Sequence, residues 1–127
     1  MRRLFADEAS LVSEWVYRDS GKYSDFEDFL SDTRNVCLSE GEGGALFVWR
    51  GPGIYEVHVF FEQRGKSVLD LSKRMLAWMR ENTGARLFWA AVPVNSRRVL
   101  MFTRLMGWAS KGLDDFPQGR CELFIGE

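Results

Sequence analysis

The chain has 127 residues, of which 46% are hydrophobic and 28% charged, with a formal net charge of −1. That is the size and balance of one globular domain with one core, and the charge total carries no basic footprint of the kind nucleic-acid binders show. No apolar run nears the roughly 20 residues a bilayer span needs, Met1-Arg2-Arg3-Leu4-Phe5 turns acidic at Asp7 and Glu8 where a signal peptide would turn apolar, and two cysteines, Cys37 and Cys121, are too few for a disulfide framework. The expectation is a reduced, cytoplasmic chain with no membrane and no nucleic-acid partner.

In chain order, Asp7 to Tyr17 reads as a helix with Val12, Trp15 and Val16 on one face. Ser20-Gly21-Lys22 breaks it. Ser24 with Glu27 three residues on fits a capping box, which predicts a second helix over 25–34. Short strands follow, over 35–39 and 45–50. The turn signal Gly51-Pro52-Gly53 predicts a hairpin into a strand over 54–61. Glu56 and His58 share one face of that strand, because side chains alternate along it.

Residues 65–82 have helical periodicity, with Val68, Leu71, Ser72, Met75, Leu76 and Met79 in one stripe and Gly84 as the stop. The unbroken apolar run Leu87 to Pro93 suits a strand buried on both faces. Asn95 is a good N-cap for a helix through Met106, ended by Gly107. Strands over 108–113 and 121–125 close the chain. The order predicts an α/β layered domain (α+β in its layering) over residues 1–127, with a mixed sheet.

The junction Phe60-Phe61-Glu62-Gln63-Arg64-Gly65-Lys66-Ser67-Val68 is the segment richest in chemistry. A glycine at a strand-to-helix turn lets backbone approach a ligand. The first N–H groups of the helix have no internal partner, and the helix dipole is positive there, so the turn suits a phosphate or pyrophosphate. A plain helix start with a solvated basic rim is the alternative. Gly65-Lys66-Ser67 is not the tail of a Walker A loop, since Phe60 stands where that motif needs glycine.

Downstream come the apolar strand, Pro93-Val94-Asn95-Ser96, an amphipathic helix and Leu105-Met106-Gly107-Trp108. With Arg64-Gly65-Lys66-Ser67 in place of the common Arg-Gly-Lys-Gly turn, Asn95 at the next helix start and Gly107-Trp108 near a Gly-Phe pair, the ordered set over residues 45–113 resembles the GNAT N-acetyltransferase superfamily. The resemblance implies a mixed, mostly antiparallel sheet with helices on both faces. It implies an acyl-coenzyme A cosubstrate such as acetyl-CoA and direct acyl transfer to a small-molecule or protein amine. Gln63, Arg64, Gly65, Lys66, Ser67 and Val68 would cradle the pyrophosphate, Asn95 would meet the pantetheine arm, and a backbone N–H near Val59 would polarise the acyl carbonyl. Homodimers are common in the family, and no metal is implied.

The sequence departs from the family pattern at Glu62, at Ser67 and at Thr103, which stands where many members carry the tyrosine that protonates the leaving thiolate. Tyr17 and Tyr55 are substitutes by residue type alone. For the general base the candidates are Glu56 and His58, the only histidine; the alternative for His58 is a half-buried strand residue bonded to a neighbour. One histidine and two distant cysteines make neither a zinc site nor a Cys-His nucleophile pair. The resemblance implies that the first two helices and the last strand loop set the acceptor; there Asp25, Glu27, Asp28, Asp32, Asp114 and Asp115 suit a cationic amine, the alternative being ordinary acidic surface. The rival reading is a catalytically inactive GNAT-fold assembly module, of the kind phages use in head assembly. Its signature would be a cleft filled by Phe60, Phe61 or Trp89 and a large apolar patch elsewhere.

Overall fold

The computed structural model describes residues 1–11, 26–40, 43–61, 66–117 and 119–127. Their elements are β1 (Arg2–Leu4), a 3-10 turn (Ala6–Leu11), α1 (Phe26–Ser31), β2 (Val36–Glu40), β3 (Gly43–Gly51), β4 (Ile54–Phe61), α2 (Lys66–Thr83), β5 (Leu87–Pro93), α3 (Arg97–Leu105), β6 (Ala109–Phe116) and β7 (Gly119–Gly126). The seven strands form one sheet in the order β1-β2-β3-β4-β5-β7-β6, antiparallel throughout except for the parallel pair β4/β5. That pair is parallel because α2 carries the chain back across the sheet between its strands.

Alternation sorts the strand residues into two cores. On one face Val36, Leu38, Ala45, Phe47, Tyr55 and Phe88 pack under Leu71, Met75, Leu76 and Met79 of α2. Every member of the predicted helical stripe is buried, Ser72 included, whose hydroxyl donates to the Val68 carbonyl at 2.9 Å. Each large side chain taken fully from water there contributes about 1.5–3 kcal/mol. The opposite face holds Leu4, Cys37, Leu46 and Phe60 under Leu30 of α1. Helices thus cover both faces. A third cluster, Val92, Leu100 and Phe124, seats α3 on the same side as α2.

The hairpin turn also fixes the start of β5. Gly53 lies at φ +75°, and its carbonyl accepts from the N–H groups of Arg86 and Leu87 at 2.8 and 3.0 Å. A Cβ there would press on the Gly84 carbonyl at 3.2 Å, and the left-handed backbone conformation itself calls for glycine.

Several expectations change. The N-terminal helix appears as a 3-10 turn as far as Leu11, and the rest of it, with Tyr17 and the Ser24 cap, lies outside the described residues. The second helix ends at Ser31, short of 34, because the Asp32 carboxylate takes the Arg34 N–H at 3.1 Å in a local turn. β1 has no sequence signal and gains its ladder from β2. β5 is not buried on both faces: Phe88 and Val92 are buried, while Trp89, Ala91 and Pro93 on the other face are half-buried. Asn95 is not the N-cap. Ser96 holds that position and makes no side-chain cap bond, and α3 ends at Leu105 with Gly107 at φ +82°.

Candidate functional site

β4 and β5 begin side by side and then part. Their pairing covers Ile54 with Leu87, Tyr55 with Phe88 and Glu56 with Trp89, and stops there, although β4 continues to Phe61 and β5 to Pro93. Each strand has a stronger partner on its far side. β4 follows β3 along its whole length, from Gly43 with Phe61 to Gly51 with Ile54. β5 follows β7 from Phe88 with Gly126 to Pro93 with Cys121. Antiparallel ladders hold better than a short parallel one, and sheet twist pulls the two halves apart beyond Glu56. In an antiparallel ladder every second residue directs its N–H and C=O away from the partner. Over 57–61 those groups face the gap. Val59 lies in this opened stretch.

The gap opens toward the end of the sheet where α2 begins. That helix runs from Lys66 to Thr83, long enough for a full dipole, with no acidic residue in its first turn. The first backbone N–H groups, on Lys66, Ser67 and Val68, lack intrahelical partners. Gln63, Arg64 and Gly65 lie outside the described residues, so the turn itself is known here only from the sequence. Asn95 sits in the turn after β5, exposed, at the same end of the sheet as the start of α2.

At the vertex of the gap stands Glu56, 4% exposed although it is a carboxylate. Arg50 donates to its Oε1 from Nε at 3.1 Å and from Nη2 at 2.6 Å, and His58 Nε2 is bonded to its Oε2. Burial alone raises the Glu56 pKa. The His58 bond and charge, and then those of Arg50, outweigh it and hold the group at about 2. Glu56 is therefore ionised across the neutral range. The His58 side chain, 18% exposed, lies two residues further along β4 on the same face, toward the opened stretch. Sequence reasoning put Glu56 and His58 on one face, as found. It missed Arg50. The hairpin sets Val48 opposite Glu56, and Arg50 falls in the register shift between Trp49 and Gly51, a bulge that strict alternation along β3 does not foresee.

Other candidates fall away from the gap. Thr103 is buried and its hydroxyl donates to the Val99 carbonyl at 2.7 Å, one turn back in α3. Tyr55 is part of the core under α2. Burial pushes the Cys37 thiol up to about 12, which leaves it protonated and unreactive at neutral pH. Phe60 is buried against Leu46 and Cys37 and does not fill the gap. The described members of the acidic set do not form one rim. Asp114 and Asp115 lie on β6, at the far edge of the sheet from α1, and Asp32 is engaged by Arg34 at 2.8 Å. Among the described residues no group of three His, Cys, Asp or Glu side chains is placed to hold a metal ion, and no helix is long and apolar enough to cross a membrane.

No protein-family model and no curated protein matches the sequence. Solved structures do match the fold. A spermidine N-acetyltransferase variant from Vibrio cholerae superposes with a TM-score of 0.74 at 11% identity, covering 98% of this chain and 92% of that one. An aminoglycoside acetyltransferase in complex with coenzyme A gives 0.74 at 13% over the same shares. The ribosomal-protein-S5-alanine acetyltransferase from Vibrio fischeri gives 0.74 at 12%, over 98% and 90%. At such identities the likeness speaks to the fold. On that ground, over nearly its whole length, the chain is a GNAT-fold protein.

Proposed function

We propose that residues 1–127 act as one acyl-coenzyme A-binding unit that transfers an acyl group, acetyl in the first instance, to an amine. The observation that carries this reading is the opened stretch of β4 and β5 beyond Glu56 and Trp89, with an ionised Glu56 holding His58 at its vertex. The fit is chemical as well as geometric. A thioester arm is thin and carries amides, and a gap edged by unpaired strand N–H and C=O groups suits it. The anionic end suits the start of α2 and the basic Arg64 and Lys66 beside it. Several structural neighbours carry coenzyme A or acetyl-CoA.

In this reading the thioester and the amine approach the gap from opposite faces of the sheet. The α2 and α3 face takes the thioester, and the face carrying Glu56 and His58 takes the amine. His58 is the general base. Its imidazole takes the ammonium proton and the free amine attacks the thioester carbon; as the C–N bond forms the C–S bond breaks, and the proton shed by the nitrogen goes to the departing thiolate. Glu56, with a pKa of about 2, is too weak a base for this step. It is a positioning residue that fixes the imidazole tautomer and stabilises its cation, and Arg50 keeps it ionised. A backbone N–H near Val59 would polarise the acyl carbonyl. Neighbours named for spermidine and aminoglycosides support a cationic amine as acceptor.

The assay is release of free thiol from acetyl-CoA in the presence of a polyamine panel. Turnover that falls about 100-fold or more in His58→Asn is the expected result. Turnover unchanged in that variant would remove His58 from the chemistry. A second reading, a GNAT-fold module without catalysis, is favoured by one observation: neither Thr103 nor Tyr55 presents a hydroxyl to the gap to protonate a leaving thiolate. Acetyl-CoA binding with no thiol release from any amine would select it.

A further inference from the structure

We infer that the cavity between the second half of α2, the end of α3 and the start of β6 binds a small organic anion with a flat apolar body. The inference does not rest on the acyl-transfer reading, and the cavity is not the gap described above. The gap opens where β4 and β5 end. The cavity lies where they begin, beside Gly126 of β7, which pairs with Phe88 at the start of β5. Lys73, the first α2 residue to line it, stands about 10 Å along the helix from Lys66. Its volume is about 510 Å³, within the range of small-molecule sites.

The floor is aromatic and is set by two glycines. Gly107, at φ +82°, turns the chain out of α3 and delivers Trp108 to the sheet. Gly126 leaves the room in which the indole lies, since a Cβ there would fall 2.4–2.8 Å from its ring atoms. Trp108 stacks on Phe88, with centroids 6.5 Å apart and planes 17° apart, and stays half-buried. Buried Leu76 of α2 and half-buried Met106 extend the apolar lining.

The rim is cationic. Lys73 and Arg80, two helical turns apart, share one side of α2. Lys111 lines the cavity from β6, inside the register shift between Ser110 and Leu113, a bulge of the kind that re-aims a side chain. Arg80 donates to the Glu127 carbonyl and lies over the Phe88 ring at 5.3 Å from its centroid. Among the described residues Lys73 and Lys111 make no ion pair, and Glu127 is the one acidic residue on the lining. Charge and shape together select the ligand. Three cations repel an amine and attract a carboxylate, sulfonate or phosphate group. The indole and its apolar neighbours reward a flat body that a bare inorganic anion lacks. A few charged groups converging on an apolar floor is the pattern of a small-molecule site.

The test is fluorescence titration of the whole chain with anilinonaphthalene sulfonate, a flat organic anion, followed by proton–nitrogen correlation spectra. One saturable site with a Kd of about 100 μM or tighter is expected, weakening as salt is added. The Trp108 indole N–H signal, assigned by its absence in Trp108→Phe, is expected to move with the titration. K73E/K111E is expected to bind the anion about tenfold more weakly or worse, with unchanged far-ultraviolet dichroism because both lysines are exposed. Phenylnaphthylamine, the same body without the sulfonate, is expected to bind wild type and variant alike. Saturating coenzyme A is expected to leave the anion in place. The spectra of the wild-type chain decide the matter even where the variant misfolds. No saturable binding, a Trp108 signal that does not move, equal affinity in a folded K73E/K111E, or displacement by coenzyme A would each overturn the inference.

Discussion

Arg50 and His58 converge on Glu56 from opposite sides, one on each carboxylate oxygen. A carboxylate buried to this degree is tolerated only because both oxygens have hydrogen-bond partners, one of them the Arg50 guanidinium. The pH dependence follows from its position. A group whose folded pKa is depressed, here to about 2 from an ordinary 4.5, adds stability that is complete above the unfolded value and is lost as pH falls through the folded one. The melting temperature of the wild-type chain should therefore drop between about pH 5 and pH 2, and Glu56→Gln should flatten that part of the profile. The same variant should lose about 1–3 kcal/mol at neutral pH, measured by urea unfolding, because two donors are left with a weaker acceptor. A variant as stable as wild type at pH 7 would show that Arg50 and His58 are satisfied without the charge. At this scale the sequence disclosed Glu56 and His58 by alternation alone. Arg50 was hidden because its partnership is set by hairpin register, and Asn95 was misplaced because Ser96, one residue on, stands at the helix start.

The elements follow from periodicity where one face is buried and depart from it where tertiary context intervenes. The six-residue stripe of α2 predicted the helix and its buried face within a residue at each end, since an 18-residue amphipathic segment leaves little choice. β1, three residues long, has no pattern to detect and exists through its ladder to β2. The apolar run of β5 promised two covered faces. One is covered, because the sheet is split beside it and its half-buried Trp89 and Ala91 lie on the side away from α2 and α3. Glycine at 44 is fixed by a different constraint. A Cβ there would stand 2.2 Å from the Leu38 carbonyl and 2.9 Å from the Phe60 ring. Gly44→Ala should separate β2 from β3 locally and lower stability by about 1–3 kcal/mol in denaturant titration. A neutral result would mean that the β2/β3 ladder has room to shift. Gly126→Ala, which would drive a Cβ into the Trp108 indole at 2.4–2.8 Å, should behave alike, by displacing a ring that stacks on Phe88.

At the scale of the whole molecule, the sheet is one piece where β4 and β5 begin and two where they end. β1 to β4 form one half and β5, β7 and β6 the other, joined through three parallel residue pairs. The sequence reached this architecture through an ordered set of weak signals whose spacing resembles one superfamily. Composition and periodicity alone gave a layered domain with a mixed sheet. What they could not give was the outer surface. Met101, Leu105 and Leu113 are exposed, and nothing local to the sequence distinguishes an apolar side chain facing the core from one facing solvent.

The proposed function stands or falls on acyl-coenzyme A binding by the opened stretch beyond Glu56 and Trp89 together with the start of α2. Calorimetric titration of acetyl-CoA into the folded chain, beside Gly65→Glu, tests it most directly. Saturable binding at one ligand per chain, lost when a carboxylate is placed in the turn before α2, is the predicted result. Absence of binding to the wild-type chain at millimolar ligand, about the weakest affinity a cosubstrate site would have, or binding unaffected by Gly65→Glu, would contradict it.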